Sequence, residues 1–132
     1  MSAAPPWDAL ARGAELFNQG KHWEAHEAWE ELWLALDDEP KLFVQGLIQA
    51  AAAGHKAFVQ FQPRGCVKLL ASALEKLERA PPDFLGLETA PFILGLRRMQ
   101  AEAARWLAGE VHSLHPSLMP QIRGPQIRGH ST

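Results

Sequence analysis

The chain is poor in several things, and each shortage excludes a class of protein. A single cysteine, Cys66, rules out an internal disulfide framework and any zinc site built from several thiolates. Positive charge is not in excess. Thirteen Lys plus Arg stand against fifteen Asp plus Glu, a formal net charge of −2, so no nucleic-acid partner is expected. No apolar run approaches the roughly eighteen residues of a spanning helix, and no membrane partner is expected. Met1 to Asp8 has neither the basic cluster nor the apolar stretch of a secretory signal, which makes the expected location cytoplasmic. β-Branched residues are few and tyrosine is absent, whereas tryptophan occurs five times. What is present suits one domain: 132 residues, 47% of them hydrophobic and 21% charged, are enough to build a core.

Apolar residues recur at helical spacing along most of the chain. Leu10, Ala14 and Phe17 lie at i, i+4, i+7 in a first segment from about Pro6 to Phe17, which Asn18-Gln19-Gly20 can stop. A second runs from Lys21 or His22 to about Leu36, making an αα-hairpin with the first. A third opens after Asp38-Glu39-Pro40, where acidic residues and proline suit a first turn, and continues to about Phe61. Pro63-Arg64-Gly65 breaks it. A fourth, Cys66 to Arg79, has Val67, Leu70, Leu74 and Leu77 on one face. The fifth, from Thr89-Ala90-Pro91 to about Ala108, has a stripe of Phe92, Leu96, Met99, Ala103 and Trp106. The expected fold is all-α, a single compact bundle of about five helices built from αα-hairpins within residues 1–110. Residues 111–132 contain PQIRG twice in succession, and proline and glycine at that density forbid a helix. An extended or disordered tail is expected there.

The second helix holds the densest chemistry. At about 100° per residue, Ala25, Ala28, Trp29, Leu32 and Leu36 share one arc, the core face. His22, His26 and Trp33 flank it, with Glu30 just beyond His26. Glu24, Glu27 and Glu31 lie opposite, yet Trp23 and Leu34 lie among them, which suggests a second packing surface. His26 and Glu30 are one turn apart, the spacing of a zinc-binding H-E-x-x-H with glutamate in the second ligand position. A divalent metal there needs a third ligand, for which the candidates are His55, Glu24, or His22 one turn earlier. The same pair also makes an ordinary charge-assisted contact that satisfies both groups without any metal. On the third helix Lys41, Gln45, Gln49, Ala52 and Lys56 form one narrow stripe. Gln45 and Gln49 either face solvent or face the His26–Glu30 pair.

Two runs carry a family resemblance. Leu16-Phe17-Asn18-Gln19-Gly20-Lys21-His22-Trp23-Glu24-Ala25-His26-Glu27-Ala28-Trp29-Glu30-Glu31-Leu32-Trp33 resembles the signature of a family of small prokaryotic helical proteins catalogued as domain of unknown function 309. Phe43-Val44-Gln45-Gly46-Leu47-Ile48-Gln49-Ala50 is similar to that family's second block. The resemblance covers roughly Pro6 to Leu77. It implies a compact all-α bundle and no established activity, and its recurring polar residues match Asn18, Glu24, His26, Glu27, Glu30, Gln45 and Gln49 here.

Three readings of function follow. In the first, the protein is a non-enzymatic structural or interaction module in which those seven residues form a polar network between hairpins. It is expected to be a homodimer through surplus apolar surface on the second or third helix. In the second it is a metal-dependent hydrolase with His26 and Glu30 as ligands, His55 or Glu27 as a third, and the remaining glutamate as general base. The third is a bundle that binds a small ligand in a Trp-walled, Gln-lined pocket.

Overall fold

The computed structural model describes residues 4–127 and is all-α, with α1 (Asp8–Asn18), α2 (His22–Trp33), α3 (Asp38–Phe58), α4 (Pro63–Leu77) and α5 (Thr89–Leu107). Each helix packs on its neighbour in sequence, α1 on α2, α2 on α3, α3 on α4 and α4 on α5. That is the outcome of short connections between amphipathic helices, which can bury their apolar stripes only against adjacent partners. No helix among the described residues is long and apolar enough to cross a membrane.

The core follows the stripes. Ala25, Ala28, Trp29, Leu32 and Leu36 are all buried, as are Phe92, Leu96, Met99, Ala103 and Trp106 of α5. Trp29 sits at the centre, its indole N–H donating to the Leu10 carbonyl of α1 at 3.1 Å. Gly13 of α1 lies directly beneath that ring, so the two helices meet where one of them has no side chain.

Helix ends differ from expectation in two informative ways. α2 stops at Trp33, and Leu36 reaches the core from the turn that follows, whose Ala35 and Leu36 amides donate to Leu32 and Trp33 carbonyls. α4 starts at Pro63, not Cys66. Proline without an N–H suits the first helical position, so the residue read as a breaker is the helix's first. Phe61, expected to close α3, falls in the turn between them and is exposed.

After α5 the described chain has no helix beyond the 3-10 turn Pro116–Leu118; it turns at residues 108–112 and again at 125–127, and between them it is laid across the bundle. Ile122 of the first PQIRG copy is 1% exposed, packed into the main core. The Asn18 side chain grips its backbone from both sides, donating to the Ile122 carbonyl and accepting from the Ile122 amide, each at 2.8 Å. The Glu88 amide donates to the Arg123 carbonyl at 2.8 Å. This strap is therefore anchored by two buried side chains, Leu114 and Ile122, and by three hydrogen bonds to its backbone. The second PQIRG copy runs past residue 127 and so lies partly outside the described residues.

Candidate functional site

α2 works on two sides, and the side chains singled out in the sequence divide between them. The first is its seam with α3. Trp23 stacks flat on His26, ring centroids 4.6 Å apart and 6° from parallel, and its other contact is His55 of α3 at 5.0 Å. Farther along, the Lys41 ammonium sits 4.3 Å above the Trp33 ring, a cation–π contact. These two contacts fix an antiparallel register in which Gln45 and Gln49 run alongside His26 to Glu30. Both glutamines are half-buried. They therefore occupy the seam's edge, neither open to solvent nor enclosed.

His26 Nδ1 lies 3.6 Å from Glu30 Oε2, close enough for an ion pair when the ring is protonated but longer than a good hydrogen bond. That nitrogen, Gln49 Oε1 and Trp33 Nε1 are buried polar atoms with no hydrogen-bond partner among the described residues. Three such atoms within one helix–helix seam are unusual, since buried polar groups are nearly always paired.

The remaining members of the seven lie elsewhere. Glu24, Glu27 and Glu30 are exposed, and Asn18 spends both its amide atoms on the strap, away from the seam. Nor are His26, Glu30 and His55 assembled around one point. Among the described residues no three His, Cys, Asp or Glu side chains are grouped to hold a metal ion, and His55 is held against the Trp23 ring. Cys66 is fully buried, and that burial pushes its thiol up to about 11, the opposite of an activated nucleophile.

The outer stripe of α2 continues from the seam. Trp23 and Leu34 remain 46% and 69% exposed, with Glu27 and Glu30 between them. Glu31 pairs with Arg12 of α1 at 2.8 Å, while among the described residues no ion pair involves Glu24 or Glu27.

The second side of α2 holds His22, which the sequence places on the flank of the core arc without showing how deeply it is buried. His22, its first residue, is 7% exposed, with Phe17 edge-on at 5.1 Å and Phe58 at 5.8 Å. A β-carbon at Gly54 would stand 2.7–2.9 Å from its Cγ, Nδ1 and Cδ2, so the ring occupies space that only glycine leaves. Burial, with a smaller push from the nearby His55 and against an opposing pull from Glu24, lowers its pKa to about 4. At neutral pH it is an uncharged imidazole. On the helical wheel His22 falls beside Trp29 at the edge of the core arc, but its depth also requires the gap that Gly54 leaves in α3. A cavity of about 540 Å³ opens over this ring, bounded by Phe17, Phe58 and the strap residues Ser117, Met119 and Gln121.

Residues 10–69 match the family described as Domain of unknown function (DUF309). A relative from Aquifex aeolicus (strain VF5), described only as "Uncharacterized protein", is 34% identical over 86 residues. The match covers 59% of this chain and 26% of the relative, so the chain spans about a quarter of that protein's length. Every side chain of the α2–α3 seam, and His22 with it, falls inside the matched segment, whereas the strap from residue 111 onward falls outside it.

Proposed function

We propose that this chain, which carries a DUF309 domain over residues 10–69, is a non-catalytic interaction module whose working surface is the outer stripe of α2. The observation that carries the reading is the pairing of two exposed apolar anchors, Trp23 and Leu34, with the carboxylates between and beside them. Positions 23, 27, 30 and 34 repeat at helical spacing and span about 16 Å along the axis, three turns of a partner helix. Large aromatic anchors ringed by charge are what interface centres are made of, whereas a stripe meant only for solvent does not need an indole and a leucine.

The partner that fits is a basic amphipathic segment of another protein, with leucine-type side chains for Trp23 and Leu34 and lysines or arginines for Glu24, Glu27 and Glu30. A second copy of this chain fits less well. Docked antiparallel through the same stripe, it brings Glu27 opposite the other copy's Glu30, and like charges in register oppose association. His26, Gln45 and Gln49 serve this surface from behind, keeping α2 aligned on α3. That the relative from Aquifex aeolicus is aligned over only 26% of its length supports a module that can be one part of a larger chain.

The test is titration of a helical Leu/Lys peptide, with a scrambled peptide of equal composition as control, followed by Trp fluorescence and calorimetry. Binding in the micromolar range, weakened by salt and by Trp23→Ala or Glu27→Lys, is expected. Equal binding of the scrambled peptide, indifference to both substitutions, or sedimentation as a dimer through this face would falsify the assignment of partner.

A further inference from the structure

We propose that the cavity over His22 is a binding site for an uncharged aromatic alcohol of the phenol class, its ring lodged between Phe17, Phe58 and Met119 and its hydroxyl meeting the imidazole. The site lies at the N-terminal end of α2, on the flank of its core face rather than on the outer stripe, and stands whether or not that stripe binds a partner.

Four observations converge on it. His22 is more than nine-tenths buried, lines the cavity, and makes no hydrogen bond through either ring nitrogen among the described residues. Its ring nitrogens are not among the fully enclosed polar atoms that lack a partner, so the imidazole reaches the open cavity, where a ligand hydroxyl or a water can meet it. A neutral imidazole offers one donor and one acceptor, and a hydroxyl can answer either. The walls supply the second observation. Two phenylalanines, a methionine and prolines make an apolar lining, and the volume of about 540 Å³ is within the range of small-molecule sites.

Charge supplies the third. Among the described residues no Lys, Arg, Asp or Glu lines the cavity. A carboxylate or an ammonium entering it would lose hydration with no counter-charge to meet, which excludes benzoate-like and amine-like ligands. The fourth is construction. One wall is the strap at Pro116–Gln121, held down immediately beyond by the Asn18–Ile122 pair of hydrogen bonds. With the Glu88–Arg123 backbone bond and the buried Leu114 and Ile122, these noncovalent contacts hold the strap as a wall while leaving the site open to solvent.

The experiment uses the full chain uniformly labelled with ¹⁵N and phenol as the probe, titrated to about 10 mM, ample for a fragment-sized ligand. Saturable movement of the His22 ring nitrogens is expected, together with shifts at the Ser117 and Gln121 amides. Benzoate and benzylamine should bind at least about tenfold more weakly, and His22→Phe should weaken phenol by a similar factor. Because the labelled nitrogens of the unmodified protein report directly, the result stands even if that variant folds poorly. Unmoved His22 nitrogens, equal response to the two charged analogues, or shifts confined to Trp23 and the outer stripe would each overturn the proposal.

Discussion

Acid should destabilise this protein through His22, and replacing that residue should remove the effect. An unfolded histidine takes up a proton as pH falls below about 6.5, whereas the buried ring resists until about 4. Between those values the unfolded chain binds the extra proton, so stability is fully present above pH 6.5 and declines as pH drops towards 4. The gap of about 2.5 units, at roughly 1.4 kcal/mol per unit, makes the loss about 3 kcal/mol, a large fraction of a small domain's stability. His22→Phe keeps a ring over Gly54 and between Phe17 and Phe58 while deleting the titration. Urea unfolding of both proteins at pH 7.5 and pH 4 is the assay. Carboxylates shared by the two contribute equally, so the difference between their pH dependences isolates His22. If the two lose stability in parallel, the imidazole is not held neutral by burial and the reasoning fails.

Other substitutions probe other parts. Asn18→Ala removes both hydrogen bonds to Ile122, should cost about 2 kcal/mol, and should expose the strap to limited proteolysis near Pro116; unchanged cleavage would show the strap held by something else. Gly13→Ala sets a helix-propensity gain of about 1 kcal/mol against overpacking of the Trp29 ring and its bond to Leu10, and a net loss of about 2 kcal/mol in thermal unfolding is expected. A stabilised variant would mean that α1 and α2 are not in contact there. His26→Ala strips the stacking partner from Trp23 and should cost about 1–2 kcal/mol, whereas Glu31→Ala loses only an exposed ion pair with Arg12 and should stay within about 0.5 kcal/mol. Equal melting of the two would remove any special role for the seam.

The helices were legible because their apolar stripes are regular. The α2 arc of Ala25, Ala28, Trp29, Leu32 and Leu36 and the α5 stripe ending at Trp106 are read off by angle alone, and burial follows them. Boundaries were less legible where proline has two meanings: Pro63 can end one helix or begin the next, and only the path of the chain through exposed Phe61 decides. The exposed Trp23 and Leu34 could be seen as misplaced on a polar face, and they are. What periodicity could not convey was long-range pairing. Asn18 sits at a helix end where a capping role is the local expectation, but its partner is 104 residues away in the PQIRG segment. His22 was hidden differently. Its depth depends on Gly54 leaving a gap in another helix, a coincidence of two positions that no single wheel displays. The seven polar residues gathered from the motif accordingly separate into a seam, an exposed stripe and a strap anchor.

The most direct test of the account is to follow the indole N–H resonances of all five tryptophans while the Leu/Lys peptide is added. The outward role of α2 predicts that the Trp23 signal moves saturably and that the buried Trp29 signal stays in place. A peptide that binds while leaving Trp23 unmoved, or no binding at all, would contradict it.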